Sequence, residues 1–131
     1  MDWNFNNDMP IYTQLVDKIK LSIVSGQLAP GDKLNTVREL AAEAKVNPNT
    51  MQRAFQELER GGLVFSQRNS GRFVTEDVEA IMTAKKALAQ QYIQSFIKNM
   101  EQLGYTDEEI LGLLRDCLLY TSPSPRDTER S

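Results

Sequence analysis

Four polar side chains recur at helical spacing in residues 48–60. Asn49, Gln52, Arg53 and Gln56 follow the i, i+3, i+4, i+7 rule, which places them on one face of a helix. Amide and guanidinium groups hydrogen-bond well to base edges and phosphates in the major groove of DNA. The pattern therefore predicts a helix that recognises a DNA sequence. The alternative is the solvated face that any amphipathic helix has.

The same segment also carries an apolar face and two acidic residues. The apolar residues that share helical spacing on the opposite face are Met51, Ala54, Phe55 and Leu58. Glu57 and Glu59 lie beside the polar stripe and would face phosphates poorly. Only the N-terminal part is therefore expected to enter a groove. The predicted contact residues of this helix are Asn49, Thr50, Gln52 and Arg53, while Gln56 is expected to be solvated.

A second short helix precedes this one and begins at a capping box. Thr36 is the N-cap, and Glu39 follows three residues later. The helix is expected to end near Ala44. Asn47 then caps the recognition helix, with Pro48 in its first turn. Two capped helices separated by about three residues predict a helix-turn-helix.

Arg38 lies in the first turn of the preceding helix. In a helix-turn-helix, the first helix crosses the sugar-phosphate backbone near its N-terminus. Arg38 and Thr36 are therefore predicted to contact phosphate, together with the free N–H groups of that turn. As the alternative, Arg38 is a surface charge or a partner for Glu39 or Glu43.

A β-hairpin with a basic tip is predicted after the recognition helix. Residues 63–66 and 72–75 favour strands, and the polar residues 67–71 join them. Gly61 is expected to be the left-handed residue that ends the helix. The residues predicted to contact the minor groove or phosphates are Arg68, Asn69, Ser70 and Arg72. A soluble hairpin loop without a ligand is the alternative.

The order of these elements predicts a winged helix-turn-helix domain over residues 1–75. Residues 10–25 favour a helix whose apolar side is core scaffold, and residues 29–32 favour a turn. Residues 3–5 are expected to form a short strand. The predicted fold class is mainly α with a small β-hairpin wing.

Residues 76–116 predict a helical hairpin with a large apolar face. One helix runs to about Leu103 and ends at Gly104, and a capping box at Thr106 and Glu109 opens the next. Such a hairpin is too small to enclose its own core or a drug-sized pocket, so a homodimer is expected to cover it. The predicted interface residues are Leu88, Tyr92, Ile93, Phe96, Met100, Ile110 and Leu114. A ligand site around the aromatic pair is the weaker alternative.

Residues 117–131 break the helical pattern abruptly. They resemble one reading frame through a transposase adaptor used in preparing sequencing libraries. We therefore predict that this segment is not native and leave it out of fold reasoning. A genuine disordered tail rich in Ser and Pro is the alternative.

Composition excludes most enzyme chemistry. The chain has no histidine and one cysteine, which removes histidine-based catalysis, an intrachain disulfide and any Cys-x-x-Cys metal motif. No paired acids stand out for a carboxylate enzyme, so we predict no catalysis, cofactor or metal. The first residues lack a secretory signal and no run is long enough to span a membrane, so the cytoplasm is expected.

Charge is distributed unevenly along the chain. The net charge is −3, yet residues 1–75 hold nine Lys and Arg against eight Asp and Glu, a balance of +1. Residues 76–131 hold six against ten, a balance of −4. DNA binding requires a local basic face and not a basic chain, so the acidic total is compatible with it.

Five motifs in the first 75 residues resemble the GntR family of bacterial transcription regulators. They are LAPGDKL at 28–34, VRELA at 37–41, VNPNT at 46–50, LERGGL at 58–63 and GRFV at 71–74. The NPNT form and the hairpin with GYTDEE at 104–109 are similar to the YtrA subfamily. This resemblance implies a homodimer that binds an inverted-repeat operator in double-stranded DNA and represses transcription, often of a transporter operon.

The resemblance also carries roles to individual positions. Arg38 matches the arginine that contacts phosphate or base, the segment with Asn49, Thr50 and Gln52 matches the recognition helix, and Arg68 lies at the wing tip. Two positions depart from the family pattern. Pro48 replaces a base-contacting arginine of many relatives, which leaves amide side chains prominent and favours half-sites with adenine. Asn69 replaces the usual wing glycine.

Two other functions stay open at this point. One is a winged helix used for protein–protein interaction, which the acidic net charge permits. The other is the N-terminal part of a GntR-type regulator with a pyridoxal-phosphate aminotransferase-like domain, although a helical hairpin directly after Val74 argues against it. No pocket-forming constellation of residues appears, so regulation by a small-molecule effector between the hairpins and regulation without an effector both stay open.

Overall fold

A computed structural model describes residue 1 and residues 3–120. The elements in chain order are α1 (Ile11–Val24), α2 (Val37–Ala44), α3 (Pro48–Arg60), β1 (Val64–Gln67), β2 (Gly71–Val74), α4 (Val78–Gln102) and α5 (Asp107–Tyr120). The predicted fold class, a mainly α winged helix followed by a helical hairpin, is confirmed. Within the described residues, no helix is both long and apolar enough to cross a membrane.

Helix α3 is held by the core on its apolar side. Both α1 and α2 pack against it. The largest fully buried side chains are Phe55, Leu15, Ile19, Ile23, Met51, Leu58 and Val74. Each side chain of this size contributes about 1.5–3 kcal/mol when it leaves water. Because this burial fixes the rotation of α3 about its axis, the polar face of the helix points to solvent.

The predicted strand over residues 3–5 is wrong. This segment has no regular structure, and the buried side chain of Gln14 organises the chain that follows it. Gln14 donates from Nε2 to the carbonyls of Asn6 (2.9 Å) and Met9 (2.8 Å), and its Oε1 accepts from the Asn6 N–H at 2.9 Å. These hydrogen bonds hold Asn6 and Met9, which follow this segment, against the start of α1.

The N-caps predicted from the sequence are present at the start of both helices of the helix-turn-helix. The side chain of Thr36 accepts from the Glu39 N–H, and that of Asn47 accepts from the Asn49 N–H. Lys45 ends α2 in the left-handed region, with φ of 60°. The two predicted helix starts are confirmed.

The predicted left-handed residue at the end of α3 is wrong by one position. Gly61 has φ of −79° and continues the right-handed turn, while Gly62 has φ of 80°. The N–H groups of Gly61 and Gly62 donate to the carbonyls of Glu57 and Glu59, both at 3.0 Å. These bonds extend the helix by one residue before the chain reverses.

The wing is an antiparallel hairpin, and residues 32–34 run beside β2 in the manner of a further strand. Val64 pairs with Val74, Phe65 with Phe73, and Ser66 with Arg72. Next to β2, the N–H of Leu34 donates to the carbonyl of Arg72, and the N–H of Val74 donates to that of Asp32, both at 2.8 Å. Because side chains alternate along a strand, the pair Ser66 and Arg72 shares the face of the buried pair Val64 and Val74.

Two compact units divide the chain, one of Met1–Leu88 and one that begins at Ala89. The first contains the winged helix and the start of α4, whose Ile81 and Leu88 are buried in its core. The second contains the rest of α4 and α5. Helix α5 runs through Tyr120, four residues beyond the predicted end at Asp116. The origin of residues 117–131 stays a prediction, and 121–131 lie outside the described residues.

Candidate nucleic-acid interface

The N-terminal half of α3 presents its polar residues to solvent. Asn49 and Arg53 are exposed, and Thr50 and Gln52 are half-buried at the two edges of that face. The Asn47 carboxamide accepts from the Asn49 N–H at 2.7 Å and fixes the first turn. Amide and guanidinium groups are thus carried on a rigid element, as hydrogen bonding to base edges requires.

Arg53 lies against an aromatic ring that the sequence analysis did not select. Its guanidinium carbon is 4.2 Å from the centroid of the Tyr12 ring on α1. The Tyr12 hydroxyl donates to Oε1 of Glu57 at 3.4 Å. The sequence could have indicated that Tyr12 points inward, because Tyr12 lies three residues before the buried Leu15 of α1. It could not indicate which residue of α3 Tyr12 contacts.

Arg38 is exposed and makes no ion pair within the described residues. The two acidic partners proposed for it are engaged elsewhere. The Glu39 carboxylate accepts from the Thr36 N–H at 2.9 Å, and the Glu43 carboxylate accepts from the indole of Trp3 at 2.6 Å. The cation is therefore available to an anionic ligand beside the first turn of α2.

Thr36 has a structural role in the same turn. Its hydroxyl oxygen accepts from the Glu39 N–H at 3.1 Å, which completes the capping box. The hydrogen bonds from the backbone and side chain of Thr36 lower the pKa of Glu39.

The start of α2 and the wing share one recess. A cavity of about 270 Å³ is lined by Lys33, Leu34, Asn35, Thr36, Val37, Ser70, Gly71 and Arg72. The structure thus brings the predicted contacts Thr36 and Ser70 to one place, although 34 positions separate them in the sequence. Lys33 adds a basic residue that the sequence analysis did not include.

The tip of the wing is exposed and has a defined backbone. Arg68, Asn69 and Ser70 are all exposed, and the Ser70 N–H donates to the carbonyl of Gln67 at 2.9 Å. Asn69 has φ of 64°, a conformation that asparagine tolerates better than most residues. Asn69 therefore adopts the left-handed conformation that a wing glycine would adopt.

Arg72 has a structural role that the sequence did not indicate. Its side chain is only 23% exposed, and its Nε donates to Oε1 of Glu59 at 2.8 Å. Its guanidinium lies 5.4 Å from the centroid of Phe55 in α3. Because its charge is paired and its side chain faces α3, Arg72 holds the wing on the recognition helix, while its contact with DNA stays a prediction.

The second unit exposes most of its apolar side chains. Tyr92, Ile93, Phe96 and Leu114 are exposed and Met100 is half-buried, whereas Ile110 is buried. An open apolar groove of about 470 Å³, larger than the sequence led us to expect, is lined by Tyr92, Ile93, Phe96, Ile97, Asp107, Ile110, Leu111 and Leu114. Leu88, also predicted at the interface, is instead a core residue of the first unit.

Comparison with known proteins identifies the family of this chain. Residues 11–74 match the profile of the bacterial regulatory proteins of the gntR family. The chain is also 44% identical over 111 residues to the uncharacterized HTH-type transcriptional regulator YhcF of Bacillus subtilis (strain 168). This alignment covers 85% of this chain and 92% of YhcF. The chain belongs to the GntR family.

Two further comparisons refine the position of this GntR-family chain. It is 32% identical over 102 residues to the HTH-type transcriptional repressor YtrA of Bacillus subtilis (strain 168), covering 77% of this chain and 78% of YtrA. A GntR family transcriptional regulator from Listeria monocytogenes has a TM-score of 0.78 and 39% identity, covering 86% and 98% of the two chains. The predicted family and YtrA-like subfamily are confirmed, and the chain is a DNA-binding transcriptional regulator.

Proposed function

We propose that this GntR-family regulator is a homodimeric repressor that binds an inverted-repeat operator. The observation that carries the proposal is the exposed polar face of α3, flanked by the exposed wing tip and by Arg38, which has no ion pair in the described part of the chain. A helix in the major groove, phosphate contacts from the preceding helix, and a wing along the backbone or minor groove would use all three.

The proposed contacts divide by chemistry. Asn49, Gln52 and Arg53 have side chains that hydrogen-bond to base edges, and the amides favour adenine. The residues proposed to contact phosphate or the minor groove are Thr36, Arg38, Thr50, Arg68, Asn69 and Ser70. These contacts set the register of the protein on DNA, while those of α3 provide sequence specificity.

The dimer is proposed from the apolar surface of the second unit. Tyr92 and Ile93 are 58% and 55% exposed, and Leu111 and Leu114 are 59% and 41% exposed. An apolar groove on so small a helical hairpin is stabilised when a second copy covers it. A two-fold axis between the copies would pair two identical recognition helices, which implies an inverted repeat with half-sites about 34 Å apart.

The similarity to YtrA supports repression, and the resemblance to the YtrA group supports a transporter-type operon as the target. The DNA partner implies a cytoplasmic location. The alignment with YhcF spans 111 residues, which is more than the 88 residues of the first unit. It therefore gives no support to a pyridoxal-phosphate domain that directly follows the wing. The alignment therefore continues into the helical hairpin.

The experiment that tests this function is selection of bound sequences from random duplex DNA with the full chain. We expect enrichment of a palindrome with two half-sites about one helical turn apart. Affinity for it should fall steeply with added salt, because bound phosphates release counterions. Failure to enrich any palindrome would overturn the operator proposal and favour a winged helix that binds protein.

A further inference from the structure

We propose that Tyr12 is a positioning residue for DNA recognition, which holds the Arg53 guanidinium ready for a base. The proposal rests on the proposed function, in which the N-terminal half of α3 enters the major groove. It assigns to α1 a part in sequence recognition that the contact residues on α3 and the wing do not reveal.

The first observation is the position of the Arg53 guanidinium over the Tyr12 ring. The guanidinium carbon of Arg53 lies 4.2 Å from the ring centroid of Tyr12, which is the distance of a guanidinium resting on an aromatic face. Tyr12 is half-buried and packs against the hydrophobic core, so its ring has a fixed support. Arg53 itself is exposed and lies in the middle of the polar face.

The second observation is that the nearest helical carboxylate is engaged elsewhere. Glu57, four residues after Arg53, forms an ion pair with Arg60 and accepts from the Tyr12 hydroxyl at 3.4 Å. Arg53 forms no ion pair within the described residues. Its charge is therefore stabilised by a π-face and not by an acid that DNA would first have to displace.

A guanidinium that lies parallel to an aromatic ring keeps its hydrogen-bonding edge free. The five N–H donors of arginine lie in the plane of the group, so a ring on one face blocks none of them. That edge can bond to O6 and N7 of a guanine, the commonest specific contact in the major groove. Because the ring restricts the side chain before binding, less rotamer freedom is lost on binding.

The test is a double-mutant cycle on the selected operator, with the full chain. Tyr12→Leu removes the π-face, Arg53→Ala removes the cation, and the third variant carries both substitutions. We expect Tyr12→Leu to weaken operator binding roughly fivefold and to leave binding to unrelated duplex DNA unchanged. The double variant should bind no more weakly than Arg53→Ala, because the ring acts only through the arginine.

Tyr12→Phe is the matched control, since it keeps the ring and the core packing and removes only the hydroxyl. Its operator affinity should stay within about twofold of that of the unmodified chain. If Tyr12→Leu does not fold, as judged by thermal unfolding, Tyr12→Met keeps comparable volume without a π-face and replaces it in the cycle.

The outcomes separate the two proposals. Additive losses in the double variant, or an equal loss on unrelated DNA, would show that Tyr12 contributes only general stability and would overturn the inference. If the unmodified chain selects no operator, the proposed function fails, and the inference fails with it. Operator binding that is insensitive to Tyr12→Leu overturns the inference alone.

Discussion

Arg72 in β2 and Glu59 near the end of α3 form an ion pair of 2.8 Å between Nε and Oε1. The same carboxylate oxygen accepts from the hydroxyl of Ser66 at 3.1 Å, and Ser66 lies opposite Arg72 in the hairpin. One oxygen therefore holds both strands of the wing on the recognition helix. This link fixes the wing relative to α3, so it bears on stability and DNA binding together.

Glu59→Ala should lower the free energy of unfolding by about 1 kcal/mol, because it removes a partly buried ion pair and a second hydrogen bond. Urea denaturation measures this change. The control is Arg60→Ala, since Arg60 is 75% exposed in its pair with Glu57 and should contribute close to zero. Equal losses in the two variants would contradict a special role for Glu59.

Arg38→Ala should weaken operator binding by ~1–3 kcal/mol, which is roughly 5- to 150-fold. If Arg38 contacts phosphate, binding to all sequences should weaken alike, and the slope of log affinity against log salt should fall by about one. Gel-shift titrations at several salt concentrations measure both quantities. Lys98→Ala removes an exposed charge from α4 and should change neither. Unchanged operator affinity of Arg38→Ala would overturn the assignment.

Local signals were sufficient to predict the helix-turn-helix. The pairs Thr36 with Glu39, and Asn47 with Asn49, are three and two residues apart, and their hydrogen bonds form within one helical turn. Such bonds do not depend on the rest of the fold. The starts of α2 and α3 therefore followed from the sequence alone.

Long-range partners could not be predicted in the same way. Arg53 lies 41 positions from Tyr12, and their contact depends on how α1 packs on α3. Arg72 was predicted as a DNA contact because it is basic and near the wing tip. Its place two residues before the buried Val74 was the overlooked signal, since i and i+2 in a strand share a face.

The capping box predicts a pH dependence. The hydrogen bonds of Thr36 lower the pKa of Glu39 in the folded state, so folding favours the ionised carboxylate. Its contribution to stability is present above the unfolded pKa of about 4.3 and is lost as pH falls through the lowered folded value. Glu39→Gln should therefore be less stable than the unmodified chain at neutral pH, and the difference should shrink in acid.

Thermal unfolding of both proteins between pH 7 and pH 3 measures this difference. Asp17→Asn is the control, because it neutralises an exposed carboxylate of α1 outside any cap. A deficit of Glu39→Gln that is equally large at both ends of the pH range would contradict the role of the ionised carboxylate.

The left-handed residue at the wing tip predicts a second stability effect. Asn69 has φ of 64°, where a β-branched side chain is strained and glycine is not. Asn69→Val should lower the free energy of unfolding by about 1–2 kcal/mol, while Asn69→Gly should change it by less than about 1 kcal/mol. Urea denaturation compares the variants. Ser70→Val, at an exposed neighbour with negative φ, is the control, and an equal loss there would contradict a conformational cause.

The apolar surface of the second unit predicts how the dimer can be broken. Ile93→Glu places a charge in the groove of about 470 Å³ where a second copy is proposed to dock. Burying an unpaired carboxylate costs several kcal/mol, so the dissociation constant of the dimer should rise at least about 100-fold. Sedimentation equilibrium measures the shift to monomer.

The matched control is Gln94→Glu, which adds the same charge at the next, exposed position of α4 outside the residues that line the groove. It should remain dimeric, because its carboxylate stays in water. The first unit has its own core, so Ile93→Glu should still bind a single half-site, although it loses the avidity that two linked recognition helices provide. A variant that stays dimeric, or that binds the palindrome as tightly as Gln94→Glu, would place the dimer contact on another surface.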